Sequence, residues 1–167
     1  RSTQGYSSAA SDVYKRQKSY YNYKDSDKIK YMQNLHYDPT TFDADYDANG
    51  TEYSSFPLLC EDNVYDVLIS DKAGVECCSW INLIHPLDTY DGTLKTLFEG
   101  ELKDRVVTAQ DSANHTSAYA IDISGTDFAN RMNLGYNDVY LSFPGNSEEN
   151  VDHIIKLLNY IFDLGIE

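Results

Sequence analysis

The chain has no apolar run approaching the length of a membrane span, so nothing in it reads as a transmembrane helix. Basic residues are scarce: 13 Lys and Arg stand against 27 Asp and Glu, for a net charge of −14. Phosphate backbones and anionic lipid are held by clustered Lys and Arg. Neither nucleic acid nor direct docking on an acidic membrane is therefore expected. Acidity otherwise implies a solvated surface and an attraction for cations. Cysteine is limited to Cys60, Cys77 and Cys78, an odd number with no C-x-x-C spacing for zinc or a redox pair. The vicinal pair is too strained to bond readily to itself, and Cys60 can reach either only if they meet in space. Three buried thiols acting as small apolar residues are expected.

Catalytic signatures are missing as well. No G-x-S-x-G, P-loop or G-x-G-x-x-G occurs. His36, His85, His115 and His153 show no metal-ligand spacing such as H-x-x-x-H, and His153 reads as a partly buried histidine beside an apolar helix stripe. A pairing of Cys77 with a histidine is one that any chain with these residue numbers offers. Carboxylate pairs for glycoside hydrolysis need closeness in space, and the sequence favours no particular two. The expectation is a non-enzymatic protein.

What the chain does have is tyrosine, 15 residues of it, several crowded into Tyr20, Tyr21, Tyr23, Tyr31 and Tyr37. Tyrosine suits carbohydrate-binding surfaces, and equally packs half-buried at low entropy cost. Residues 1–17 resemble a translated sequencing adapter. Ser7 to Gln17 match the transposase-type adapter, Arg1-Ser2-Thr3 the flow-cell primer, and Gln4-Gly5-Tyr6 the index between them. They are expected to be non-native and without fold, and are set aside. Residues 18–167 are expected to form one α/β domain whose natural start lies upstream of Lys18.

Along that domain, residues 26–35 have helical spacing in Ile29, Met32 and Leu35. Asp38-Pro39-Thr40-Thr41 is a turn or helix start, and an acidic, turn-rich stretch follows from Asp43 to Glu52. Val64 to Ser70 is nearly continuous in apolar residues, as in a parallel strand covered on both faces. Asp71 is placed to cap a helix over 72–79. Pro86 stops regular structure, and a helix over 93–99 and a short strand over 105–108 follow. Ser117 to Ile123 alternates as a strand. Ser124 or Thr126 can cap a helix over 127–132 that Gly135 ends. Asp138 to Phe143 is a third strand, cut off by Pro144-Gly145. The last helix starts at an Asn146 cap with Glu149 three residues on, and carries Val151, Ile154, Ile155, Leu158, Ile161 and Phe162 as one apolar stripe. Strands and helices alternate, which predicts a layered α/β domain.

One segment has metal-site character. Asp45-Tyr46-Asp47-Ala48-Asn49-Gly50-Thr51 matches the first half of an EF-hand-type loop. Asp45, Asp47 and Asn49 fall at positions one, three and five, Gly50 makes the sharp turn, and Thr51 offers a backbone carbonyl. The match fails at position twelve, which is Phe56 where a bidentate Glu belongs. An acidic surface turn explains the same residues. Calcium is the one ion with a candidate loop, and a calcium-stabilised interaction module is the alternative function; no other cofactor is expected. Asn49-Gly50-Thr51 and Asn114-His115-Thr116 are glycosylation sequons by pattern.

Three segments in order carry a family resemblance. They are Asn63 to Asp71 followed by a short helix and Ile84-His85-Pro86-Leu87-Asp88; Tyr119 to Ser124; and Asp138 to Phe143 followed by Asn146 to Phe162. Together they resemble the extracellular solute-binding proteins of bacterial ABC transporters, of the type II periplasmic-binding class. The resemblance spans roughly residues 60–165. It implies a three-layer lobe with a mostly parallel sheet, without room for a full second lobe between Ile123 and Asp138. It also implies an extracellular, cell-surface location, anchored through a segment missing from this chain, and a small solute or a protein as partner. In such open sheets ligands sit beyond the carboxyl ends of the strands. That singles out Ser70, Asp71, Asp122 and Ser124, for each of which a helix cap is the competing role.

Overall fold

The computed structural model describes residues 56–166. Helix α1 (Phe56–Glu61) leads through a loop to strand β1 (Leu68–Ser70) and helix α2 (Lys72–Trp80). A single 3₁₀ turn (Leu87–Thr89) precedes helix α3 (Gly92–Glu99), and a second (Lys103–Arg105) precedes strand β2 (Val106–Gln110). Strand β3 (Thr116–Asp122), helix α4 (Asp127–Met132), strand β4 (Tyr140–Ser142) and helix α5 (Glu148–Phe162) complete the order.

The four strands form one sheet in the order β1-β4-β3-β2, and every adjacent pair is antiparallel. The expected mostly parallel, periplasmic-binding-protein-like sheet is thus overturned. A continuous apolar run reports that both faces of a strand are covered; it carries no information on the direction of the neighbour. Here both faces are covered, but β4 runs between β1 and β3. Those two strands are parallel to each other and never touch as a pair. β2 and β3 are joined by a five-residue turn, a connection only antiparallel strands can use.

Strand residues alternate between two cores. Ile69, Ile121, Leu141 and Phe143 face α3, α4 and α5, where Leu94, Leu97, Phe98, Phe128, Ile154 and Leu158 bury against them. Leu68, Val107, Ala120 and Tyr140 face α1 and α2, against Cys60, Val75, Cys78 and Leu83. A bulge interrupts the alternation. Val107 pairs with Ala120 and Thr108 with Ala118, so Tyr119 is the extra residue. The bulge turns Tyr119 onto the same face as Ala120. At the β2 edge, Lys72 Nζ donates to the Thr108 carbonyl (2.7 Å) and Ser79 Oγ to the Gln110 carbonyl (2.9 Å). Side chains of α2 thereby occupy acceptors that would otherwise invite a further strand.

Several boundaries differ from the sequence expectation for local reasons. Of residues 64–70 only the last three are strand, and Val64 is exposed. Helix α4 ends on Asn133 in the left-handed conformation rather than at Gly135, asparagine being the next most tolerant residue there. The cap of α5 is Ser147, with Asn150 closing the capping box, in place of Asn146 and Glu149. Asn146 stays outside the helix because its backbone N–H is held by Asn63 Oδ1 at 2.9 Å.

Candidate functional site

The register gathers the four candidate ligand residues at one end of the sheet. Ser70 and Asp122 each sit opposite Tyr140, so Ser70, Tyr140 and Asp122 form one rung on the same face. Asp71 follows Ser70 directly, and Ser124 lies two residues past Asp122. Most of their polar atoms, however, serve the chain itself. Asp71 Oδ1 accepts from the Gly74 N–H at 2.9 Å, which is the N-cap of α2. Asp122 Oδ1 accepts from the Ser124 N–H at 2.9 Å. Ser124 Oγ accepts from the Val139 N–H at 2.8 Å, and Ser70 Oγ donates to the Asp71 carbonyl. The helix cap expected of Ser124 or Thr126 falls to Thr126, whose Oγ1 accepts from the Ala129 N–H.

Sequence reasoning missed Tyr140, Tyr136, Asp138 and Arg105 as neighbours at this end. Tyr140 is half-buried, and desolvation, then the Asp122 and Asp138 carboxylates, raise the pKa of its phenol. Partial burial, then Asp71, push the Tyr136 phenol up to about 12. The Tyr140 phenol thus feels the Asp122 and Asp138 carboxylates, and the Tyr136 phenol feels that of Asp71. Behind them Arg105 Nη1 donates to the Asp122 carbonyl at 3.0 Å, with its guanidinium 4.8 Å above the Phe162 ring. The aromatic position in β4 is visible in the sequence as a strand residue, but its place between two acids depends on strand order. Asp71→Ala is expected to lower stability by ~1 kcal/mol through loss of the cap, whereas Asp71→Asn keeps it; urea unfolding of the two variants checks this.

At the opposite end of the sheet lies a cleft of about 240 Å³. Its floor is Cys60, Leu83 and Pro144, all buried. Its rim is Asn63, Asn82, His85 and Asn146, with the exposed Glu61 beside them. Asn63 and Asn82 both take left-handed backbone angles (φ 57° and 59°) just past the ends of α1 and α2. Desolvation lowers the pKa of His85, with a hydrogen bond to the Pro144 backbone opposing it, so the neutral imidazole is favoured. Next to the cleft, Asn150 Nδ2 donates to the Asn63 carbonyl (3.0 Å) and to Asp66 Oδ1 (2.7 Å). His153 Nδ1 lies 3.0 Å from Asp66 Oδ2.

The Cys60 thiol on the cleft floor is the opposite of an activated nucleophile. Burial first, and the Glu61 charge second, push its pKa up to about 12. Cys77 and Cys78 are buried in α2. Because the folded thiol titrates above the unfolded one, its contribution to stability is complete below about pH 9 and is lost as the pH rises toward 12. Tyr90, buried and donating to the Gly145 carbonyl, has its pKa raised in the same direction. The melting temperature is therefore expected to fall progressively above about pH 9, and Cys60 to resist alkylation at pH 8 until denaturant is added. Thermal melts across the alkaline range and a thiol titration with and without urea check both.

The candidate calcium ligands Asp45, Asp47, Asn49 and Thr51, and the predicted helix over 26–35, lie outside the described residues. Among the described residues no group of three or more His, Cys, Asp or Glu could hold a metal ion, and no helix is long and apolar enough to cross a membrane. Compared with protein-family models, curated proteins and solved structures, the chain matches none.

Proposed function

We propose that this is a non-enzymatic, extracellular binding domain that takes a cationic group, from a small solute or from a basic segment of a partner protein, at the acid-and-tyrosine end of its sheet. The observation that carries the reading is the single rung Ser70–Tyr140–Asp122, followed by Asp71, with Asp138 acting on Tyr140 and Asp71 on Tyr136. One oxygen each of Asp71 and Asp122 is tied to the backbone, which fixes the carboxylates in place and leaves the other oxygen to a ligand. Phenols between fixed carboxylates suit an ammonium or guanidinium, through charge and through the aromatic face. The non-enzymatic part rests on the sequence, which carries no G-x-S-x-G, P-loop or G-x-G-x-x-G signature. The Ser70 and Ser124 hydroxyls are bonded to the backbone, and the Cys60 thiol is held protonated. The extracellular part rests on the resemblance to solute-binding proteins, retained as a functional expectation without their parallel sheet.

The test is a thermal-shift and calorimetric titration of the chain with tetralysine, free amino acids, hexoses and calcium at low ionic strength. Tetralysine is expected to raise the melting temperature, because a ligand that binds only the folded state stabilises it. The double variant Asp71→Asn, Asp138→Asn keeps the α2 cap and is expected to abolish that rise. A rise that survives both substitutions, or no rise at all with a cooperatively folded protein, overturns the reading. A rise with calcium alone moves the function to the loop from Asp45 to Thr51.

A further inference from the structure

We propose that the cleft at the other end of the sheet is a separate small-molecule site, and that its ligand is a single-ring hydroxylated amine of the amino-sugar class. The inference does not depend on the strand-end reading. Size is the first argument. About 240 Å³ is below the ~300–1,000 Å³ typical of sites for drug-sized ligands, and suits one ring.

The second argument is the distribution of polarity. The floor of Cys60, Leu83 and Pro144 is apolar, and the polar residues Asn63, Asn82, His85 and Asn146 surround it. A sugar ring has this pattern in reverse: C–H groups on a face and hydroxyls around the edge. Carboxamides offer both donors and acceptors, which is what hydroxyl groups require, and a His85 ring that donates to the Pro144 backbone leaves its second nitrogen as an acceptor. Part of the rim is also positioned before any ligand arrives. Asn63 is held through its Oδ1 by the Asn146 N–H and through its carbonyl by Asn150, and His85 is held at its backbone by the Phe143 carbonyl (2.8 Å). Polar groups fixed in advance lose less freedom on binding.

The third argument concerns charge. The one ionised group on the rim is Glu61. The carboxyl-terminal ends of α1 and α2 both arrive at the cleft, Asn63 and Asn82 being the residues that terminate them. Helix carboxyl ends carry partial negative charge. The Glu61 carboxylate, supported by the carboxyl end of α2, favours an ammonium over a neutral group and disfavours an anion.

A matched ligand series reads this directly. Glucosamine, glucose and glucuronate share one ring size and differ in charge. Titrated into the ¹⁵N-labelled chain, glucosamine is expected to shift the side-chain amide signals of Asn82 and Asn146 and the ring signals of His85, glucose to shift them more weakly, and glucuronate not to shift them. Asn82→Gly accepts the left-handed backbone without strain, and Asn146→Ala leaves the backbone bond to Asn63 intact. Each is expected to weaken glucosamine binding by up to about tenfold, the equivalent of one hydrogen bond. Circular dichroism confirms that each variant is folded. The proposal is overturned if glucosamine at millimolar concentration shifts none of these signals, if glucuronate binds as well as glucosamine, or if the shifts fall only on Tyr136 and Tyr140. The last outcome would assign the amine to the strand-end site instead.

Discussion

Phe143→Ala is expected to lower the stability of the domain by ~3–5 kcal/mol, at the upper end of what a single core truncation costs. The ring is fully buried just past the end of β4, against Tyr90 (centroids 6.0 Å apart, nearly perpendicular) and Phe98 (5.8 Å). Truncation loses the transfer energy of the ring and leaves a cavity between α3 and the sheet, walled by residues whose own packing limits collapse. In a domain of this size such a loss lowers the melting temperature by on the order of 10–20 °C. Phe143→Leu keeps most of the volume and is expected to cost less than ~1.5 kcal/mol. Denaturant unfolding of the pair separates a cavity effect from a general intolerance at this position. If both variants cost the same, the aromatic contacts rather than the volume hold this region.

Asn150→Ala is expected to cost ~2–3 kcal/mol, unusually much for a polar residue near a helix start. The side chain is buried and bonded at both ends. Its amide donates to Asn63 O and Asp66 Oδ1, and its oxygen accepts from Ser147 N (3.2 Å) and Ser147 Oγ (2.6 Å). One residue thus closes the capping box of α5 and ties that helix to the loop before β1, 87 residues away. Removing it leaves the Asn63 carbonyl and an Asp66 oxygen short of donors in a partly buried place. The same junction explains Gly145, where an added Cβ would come within 2.5 Å of the Tyr65 carbonyl and 2.6 Å of Asn150 Cγ. A double-mutant cycle with Asp66→Ala is expected to show coupling of at least ~0.5 kcal/mol, because the two side chains share a hydrogen bond; strict additivity would show that Asn150 acts through the cap alone.

Where a feature depends on a few neighbouring residues, the sequence carries it. Asp71 caps α2, Thr126 caps α4, and α5 buries Ile154 and Leu158 from its predicted apolar stripe. The strands lie where β-branched and aromatic residues alternate or cluster, and Ser70 and Asp122 sit at strand ends that the fold does bring together. Their selection from the sequence assumes a parallel sheet, and the sheet is antiparallel; β1 and β3 point the same way only because β4 lies between them. The cap of α5 slips by one residue for a comparable reason, since Asn146 is engaged by Asn63 from across the domain.

The remainder of the candidate sites is not legible in the sequence. Tyr140 meets Asp122 through strand order, and the cleft joins residues from Cys60 to Asn146. Periodicity and capping are set by contacts three or four positions apart, and so are written locally along the chain. Strand direction, the neighbours of Tyr140, and the convergence of two helix ends on one cleft are set by packing between segments up to 87 residues apart. Many arrangements of the same helices and strands would satisfy the local pattern equally; burial on both faces of this one sheet selected among them.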